Sequence, residues 1–233
     1  MINCIIPARG GSKGVPNKNI ALVGSHPLIA YSIVAAKLCS MNRIIVSTDS
    51  RKIAEIAIKY GAEVPFLRPS ELATDLSTDL GFLKHYFDNI EGDEVALIRP
   101  TSPFRNPKFM IETVGFYKKY KTEMTGLRSV ERMPQPAYKQ VKIKNGFFEE
   151  LFQGINHNAP RQTLPATYSP NGHIDIVKRE TVNNEEVFGD LVCAIMSDKT
   201  IDIDDIDDLK LANLMVGSEF DVLTEYIIGE NNG

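Results

Sequence analysis

The N-terminal half of the chain alternates between two hydrophobic periods. Short apolar runs rich in β-branched residues, "NCIIPA", "NRIIVSTD", "AEVPFL", "DEVALIRP" and "EMTGLRSVE", read as strands. Between them, "PLIAYSIVAAKLC", "SRKIAEIAIKYG", "DLGFLKHYFDNI" and "PKFMIETVGFYKKYK" repeat apolar residues at helical spacing. Gly61 closes the second of these helices, and Pro107 opens the fourth in its first turn. Strands alternating with helices predict parallel βαβ units and an α/β, doubly wound, mostly parallel sheet. Ligands bind such sheets beyond the carboxyl ends of the strands. That directs attention to "RGGSKG", "STDS", "RPTSPFR" and the acidic run after "CAIMSD".

The pattern changes near residue 132. "MPQPAYKQVKIKNGFFEEL" alternates around Asn145–Gly146, a hairpin signal, and "QGINHNAPRQTLPATYSPNG" is a long polar, Pro-rich loop. "HIDIVKRETV" and "DLVCAIMS" then read as strands again. The expectation is a single domain over residues 1–233, with an insertion at roughly residues 132–188.

Composition narrows the chemistry. Of the 233 residues, 43% are hydrophobic and 24% charged, which is ordinary for a water-soluble globular chain. A net charge of −4 gives no general attraction to nucleic acid or to an anionic membrane, so any anion site must be local. Cys4, Cys39 and Cys193 are too few and too scattered for a disulfide framework or a zinc cluster, and buried thiols are expected. "MINCIIPARGG" lacks a basic leader and its apolar run is too short for a signal peptide; no run reaches membrane-spanning length. The expectation is a cytoplasmic protein without membrane or nucleic-acid partners.

Two stretches carry charge. "IIPARGGSKGVPNKNI" places glycines, Arg9, Lys13 and Lys18 directly after the first strand. A Gly-rich turn there can aim backbone N–H groups at a phosphate, and the cations add to it. It is neither a Walker A loop nor a GxGxxG fingerprint, and a solvated turn is the plainer alternative. "TIDIDDIDDLKLAN" puts Asp202 and Asp204 on one face if the segment is extended. Two carboxylates there could hold Mg²⁺, which prefers oxygen ligands and keeps waters and substrate phosphates. Asp205, Asp207 and Asp208 read instead as cap and solvated face of the following helix.

The loop, together with "RIIVSTDS", "RPSELATD", "RPTSPFR", "PRQTLP", "PNGHIDI" and "IDIDDIDDL", resembles the acylneuraminate cytidylyltransferase family. These enzymes activate acidic nine-carbon sugars as CMP-sugars, and include CMP-N-acetylneuraminate, CMP-legionaminate and CMP-pseudaminate synthetases. The resemblance implies the nucleotide-diphospho-sugar transferase fold, a Rossmann-like sandwich with a dimerisation insertion that reaches over the neighbour's active site. It implies CTP and a nonulosonic acid as substrates, Mg²⁺ on Asp202 and Asp204, and a homodimer. Arg9, Lys18, Asp202 and Asp204 would carry the catalysis. Arg9, Gly10, Gly11, Ser12, Lys18 and Asn19 would hold the phosphates, and Asp75, Ser77 and Thr78 the base. Arg99, Thr101, Ser102, Arg161, Gln162, Asn171 and Asp175 would surround the sugar, with Arg161 on its carboxylate.

Three departures from the family pattern stand out. Arg99 occupies a position where the sialic acid enzymes usually have Gln, and His173-Ile174-Asp175 stands where they commonly show Ala-Ile-Tyr. Asp79 replaces a further Ser of many relatives. Arg99 could grip a carboxylate or an N-acyl oxygen. His173, lacking a visible proton-transfer partner, reads as structural. The apolar face of the insertion would use Phe147, Phe148, Phe152 and Phe188, for which packing within one subunit is an equal reading. The alternatives are a CMP-Kdo or CMP-pseudaminate synthetase and, from another class, a catalytically inactive nucleotide-binding regulator.

Overall fold

The computed structural model describes residues 2–219, 221 and 223–230. In chain order the elements are β1 (Asn3–Pro7), β2 (Leu22–Val23), β3 (His26–Pro27), α1 (Leu28–Leu38), β4 (Ile44–Ser47), α2 (Arg51–Lys59), α3 (Asp79–Asn89) and β5 (Glu94–Leu97). There follow α4 (Pro107–Tyr120), β6 (Gly126–Arg132), β7 (Val141–Lys144), β8 (Phe147–Glu150), β9 (Tyr168–Lys178), α5 (Arg179–Asn183), β10 (Val192–Met196), α6 (Ile206–Met215) and α7 (Thr224–Glu230). The central sheet has six strands in the order β10-β6-β9-β5-β1-β4. All its pairings are parallel except the two made by β9.

Burial on both faces explains why the strands read as continuous apolar runs rather than alternating ones. In β1, Cys4 and Ile6 join one core layer while Ile5 joins the other, with Ile45, Val95, Leu97 and Val177. Each such fully buried aliphatic side chain contributes about 1.5–3 kcal/mol. The helix α1 is apolar all round, and every residue from Leu28 to Ala36 is buried. Ser50 caps α2, accepting from the Ile53 N–H, and Asn106 caps α4, accepting from the N–H groups of Lys108 and Phe109, with Pro107 in the first turn.

Three expectations need adjustment. "AEVPFL" does not build a ladder: it makes one parallel bridge, Glu63 to Ile45, because Pro65 lacks the N–H that would continue it. "RETV" begins α5 rather than continuing a strand. The strand β9 lies inside the span read as an insertion, yet it occupies the middle of the main sheet, antiparallel to β5 and β6. The part that leaves the sheet is the stretch between β6 and β9, residues 133–167, with the β7–β8 hairpin. Its turn uses Asn145 and Gly146, both at positive φ (51° and 84°), the geometry a two-residue hairpin requires. Phe147 and Phe148 are 75% and 70% exposed, whereas Phe188 packs into the main core beside Val182 and Val187.

The three cysteines are free; Cys4 is fully buried, and burial pushes its thiol far above the ordinary range. Among the described residues no helix is long and apolar enough to cross a membrane.

Candidate active site

The loop after β1 and the segment before α6 meet at the carboxyl end of the sheet. The stretch 201–204 is extended and is pinned by the Ile203 N–H, which donates to the Thr101 carbonyl at 2.9 Å. Ile203 is buried between Asp202 and Asp204, which both face outward. Asp205 caps α6 and forms a reciprocal capping box with Asp208. The acidic run thus divides into an outward-facing pair and a helix cap, the division expected from its period.

Lys18 ties the two segments together. Its Nζ donates to the Ile203 carbonyl at 2.8 Å and to Asp204 Oδ1 at 3.1 Å. The backbones also touch: a Cβ built on Gly14 would collide with the carbonyl oxygen of Asp204. Gly14 is therefore required for a close approach, not for a positive φ.

The rest of the loop is braced from below. Asn19, buried, donates from Nδ2 to the Arg9 carbonyl at 2.8 Å, and the Gly10 N–H donates to Asp49 Oδ1 at 2.8 Å. Asp49 thereby holds one of the N–H groups expected to face a phosphate. Arg9 Nη2 and Lys13 Nζ both reach Asp75, at 2.8 and 2.5 Å. Their hydrogen bonds hold the Asp75 carboxyl below its usual range.

These groups surround a cavity of about 520 Å³. Of the residues singled out in the sequence, Arg9, Ser12, Lys18, Asn19, Ser77, Arg99, Thr101, Asp202 and Asp204 line it. Gly10 and Gly11 are not among the lining residues; Gly10 is half-buried and Gly11 exposed. Thr78 precedes α3 without making a side-chain cap bond. The Ser77 hydroxyl is committed locally, accepting from the Thr74 N–H and donating to the Glu71 carbonyl. Ser102, fully buried, sits under the acid pair, with Oγ 3.4 Å from Asp202 Oδ1.

Four expected sugar contacts lie elsewhere. Arg161 and Gln162 line a separate cavity of about 360 Å³ on the outlying segment, with Arg132, Met133 and Pro134. Asn171 donates to Ser197 Oγ at 2.6 Å and stays within 3.5 Å of Glu131 Oε2. Asp175 is completely buried in the sheet, 3.6 Å from Arg128 Nη2. Burial raises its pKa, against the opposing pull of Arg128 and Arg99. His173 is structural: Nε2 accepts from the Asn106 N–H at 3.0 Å, so the ring helps start α4. Burial, assisted by Arg105, lowers its pKa to about 3, which keeps it neutral.

Two arginines escaped the sequence reading. Arg68 lines the cavity, donates to Ser47 Oγ and the Ser47 carbonyl at 3.0 and 2.7 Å, and lies over the Phe82 ring. Burial lowers its pKa to about 10, so it stays charged. Arg105 is completely buried and donates to the carbonyls of Arg99, Ser102, Gly172 and His173 and to Ser32 Oγ. It staples the loop after β5 to β9, and burial lowers its pKa to about 9. The only signal for either was an Arg in a Pro-containing stretch after a strand.

Comparison with known proteins decides the family. The Cytidylyltransferase family matches residues 3–153. The chain is 34% identical over 214 residues to the CMP-N,N'-diacetyllegionaminic acid synthase of Legionella pneumophila, covering 88% of this chain and 90% of that protein. The chain belongs to the cytidylyltransferase family. It is also 36% identical over 219 residues to the N-acylneuraminate cytidylyltransferase of Escherichia coli O18:K1:H7, covering 91% of this chain but 51% of the relative. It thus spans about half the length of that relative. A pseudaminic acid cytidylyltransferase of Campylobacter jejuni is 27% identical over 222 residues, covering 91% of this chain and 94% of the relative. Among solved structures, a CMP:2-keto-3-deoxy-manno-octonic acid synthetase in complex with CTP superposes with a TM-score of 0.69 at 14% identity, over 92% of this chain and 98% of that one. At that identity the likeness speaks for the fold alone, the α/β nucleotidyltransferase architecture.

Proposed function

We propose that the protein transfers CMP from CTP to the anomeric hydroxyl of a nonulosonic acid, releasing pyrophosphate. The observation that carries this reading is the interlock at the cavity floor. A cationic loop and an outward-facing acid pair are joined through Lys18 and the Gly14–Asp204 contact, so cations and carboxylates face one volume. The named relatives that act on sialic and legionaminic acids support the choice of acceptor.

In this reading the hydroxyl oxygen attacks the α-phosphorus in line, the bond to the β-phosphate oxygen breaks, and the hydroxyl proton leaves. Arg9 and Lys13, held by Asp75, would exchange that carboxylate for the triphosphate and stabilise the departing pyrophosphate. Lys18 acts on the other side of the divide, holding Asp204 and the Ile203 carbonyl in place. Thr101 and Ser102 fix the acid segment through the Ile203 N–H and Asp202.

The acid pair offers the donor chemistry that Mg²⁺ takes: both groups are exposed carboxylates lining the cavity, and an ion there would complete its shell with waters and phosphate oxygens. Asp202 and Asp204 would hold it, and when bound it supplies Lewis-acid stabilisation of charge at the reacting phosphate.

The stretch 133–167 forms the homodimer contact in this reading, presenting Ile143, Phe147 and Phe148 to a second copy. Arg161 and Gln162 would meet the acceptor's carboxylate in that assembly. The free cysteines fit a reducing cytoplasm. The test is pyrophosphate release from CTP and Mg²⁺ with sialic, legionaminic, pseudaminic or Kdo acid supplied separately. Release with one of the nonulosonic acids is expected; release with none of them overturns the reading.

A further inference from the structure

Arg99 follows β5 and forms a wall of the cavity with Pro100 and Thr101. Its guanidinium does not stand free. Nη1 lies 3.4 Å from Asp79 Oδ1 and Nη2 donates to Asp79 Oδ2, so the terminal edge is engaged by the first residue of α3. The stem of Arg99 runs against Gly172, where a Cβ would come within 2.9 Å of Cδ and 3.5 Å of Nε. Only a residue without a side chain leaves that passage open.

The wall continues inward. The buried Asp175 carboxyl group lies 3.6 Å from Arg128 Nη2 and acts electrostatically on Arg99. Arg128 in turn lies over the Phe188 ring, 4.6 Å from its centroid. Asp79, Arg99, Asp175 and Arg128 follow one another along this wall, and Arg105 and Asp202 also act on Arg99. Asp79, together with Asp175 and Asp202, outweighs burial and holds the Arg99 pKa above its ordinary value. An incoming carboxylate would have to displace Asp79 from both terminal nitrogens. An amide carbonyl or hydroxyl needs only one of the remaining N–H donors and carries no charge to be repelled.

We propose that Asp79 is a positioning residue for Arg99, and that its hold on both terminal nitrogens makes the Arg99 wall a reader of an uncharged hydrogen-bond acceptor on the sugar, such as an acylamino carbonyl, rather than of its carboxylate. The inference rests on the acceptor class proposed above and deepens it. It leaves the carboxylate to Arg161 and Gln162.

The test uses the full chain with CTP, Mg²⁺ and two acceptors of one carbon skeleton, one bearing an acylamino group where the other bears a hydroxyl. Initial rates give KM and kcat, and calorimetry gives acceptor binding without turnover. In Asp79→Asn the KM for the acylamino acceptor rises about tenfold, more than the KM for CTP, and the preference for acylamino over hydroxyl falls. Asp79→Glu restores part of that preference. Adding Arg99→Gln to Asp79→Asn costs little more than either change alone, because both remove one interaction. An unaltered preference in Asp79→Asn, or losses that multiply in the double variant, overturns the inference. A wild-type protein that binds the acids but turns over none overturns the proposed function instead, and the binding preference then judges Asp79. Failure to bind either acid overturns both.

Discussion

At the carboxyl ends of β1 and β5 the charged side chains have internal partners, whereas the β7–β8 hairpin holds its largest apolar side chains in solvent. Arg9 and Lys13 share Asp75, Lys18 holds Asp204, and Arg99 holds Asp79. Each cation is already held by a carboxylate, which a phosphate can replace by exchanging one anionic partner for another. The hairpin is the converse. Ile143, Phe147 and Phe148 are mostly exposed, and the main contacts of β7 and β8 are with each other. A two-stranded ribbon of this kind is marginal alone and gains its stability by being covered. The strand-end site has its charges paired within one chain, whereas the hairpin leaves its apolar side chains for the second copy proposed above.

The contrast inside the acidic run is the first to test. Asp202→Asn should lower turnover on the order of 10²- to 10³-fold, while Asp207→Asn, whose carboxylate only pairs with Lys210 on the α6 surface, should leave it within about twofold. Steady-state kinetics at saturating CTP decides this; equal losses would place the metal elsewhere.

Gly14→Ala tests the seam between loop and acid segment. The added methyl must push the loop away from the Asp204 carbonyl, at a cost of about 1–3 kcal/mol, so CTP affinity and turnover should each fall about tenfold or more. Nucleotide titration with the thermal midpoint measured alongside separates a displaced loop from an unfolded chain. Wild-type CTP affinity in Gly14→Ala would mean that the seam does not shape the site.

The hairpin is tested by Phe147→Ser/Phe148→Ser. Removing two exposed rings should leave the monomer fold intact and shift the assembly toward monomer, seen by sedimentation, with acceptor KM rising and CTP affinity nearly unchanged. A dimer as tight as wild type would assign the rings another role.

The smallest effect concerns His173, at the junction of the two regions. Its folded pKa of about 3 lies below the ordinary 6.5, so the unfolded chain takes up the proton first. Its contribution to stability is complete above about pH 6.5 and is lost as the pH falls toward 3, at up to about 1.4 kcal/mol per pH unit. Denaturant unfolding across that range should show a flatter acid limb in His173→Gln than in wild type; parallel curves would remove His173 from the account.

Local pattern made most of the fold readable. β1, β4, β5 and the four long helices follow from apolar runs and caps, and the Asn145–Gly146 turn from its residue types. The position of β9 was not readable, since antiparallel entry into the middle of a parallel sheet is decided by long-range pairing rather than by any local period. The site divides the same way. Arg9, Lys18, Asp202 and Asp204 announced themselves by charge and spacing. Arg105 and Asp49 did not, because their work is to hold backbone groups that only the folded chain brings near. The pairing of Arg99 with Asp79 joins two separately noted departures from the family pattern, which a separation of 20 positions conceals in the sequence.

The Lys18 bond to Ile203 spans 185 residues. A cationic loop made early in synthesis therefore waits for residues 201–204 before it meets the acid pair. The helices and the β1–β4 pair can form early and locally, but loop and acid pair come together only through a long closure. Catalytic competence is thus a late event in folding, and a partly synthesised chain, however well ordered at its N-terminus, has nothing with which to complete the reaction.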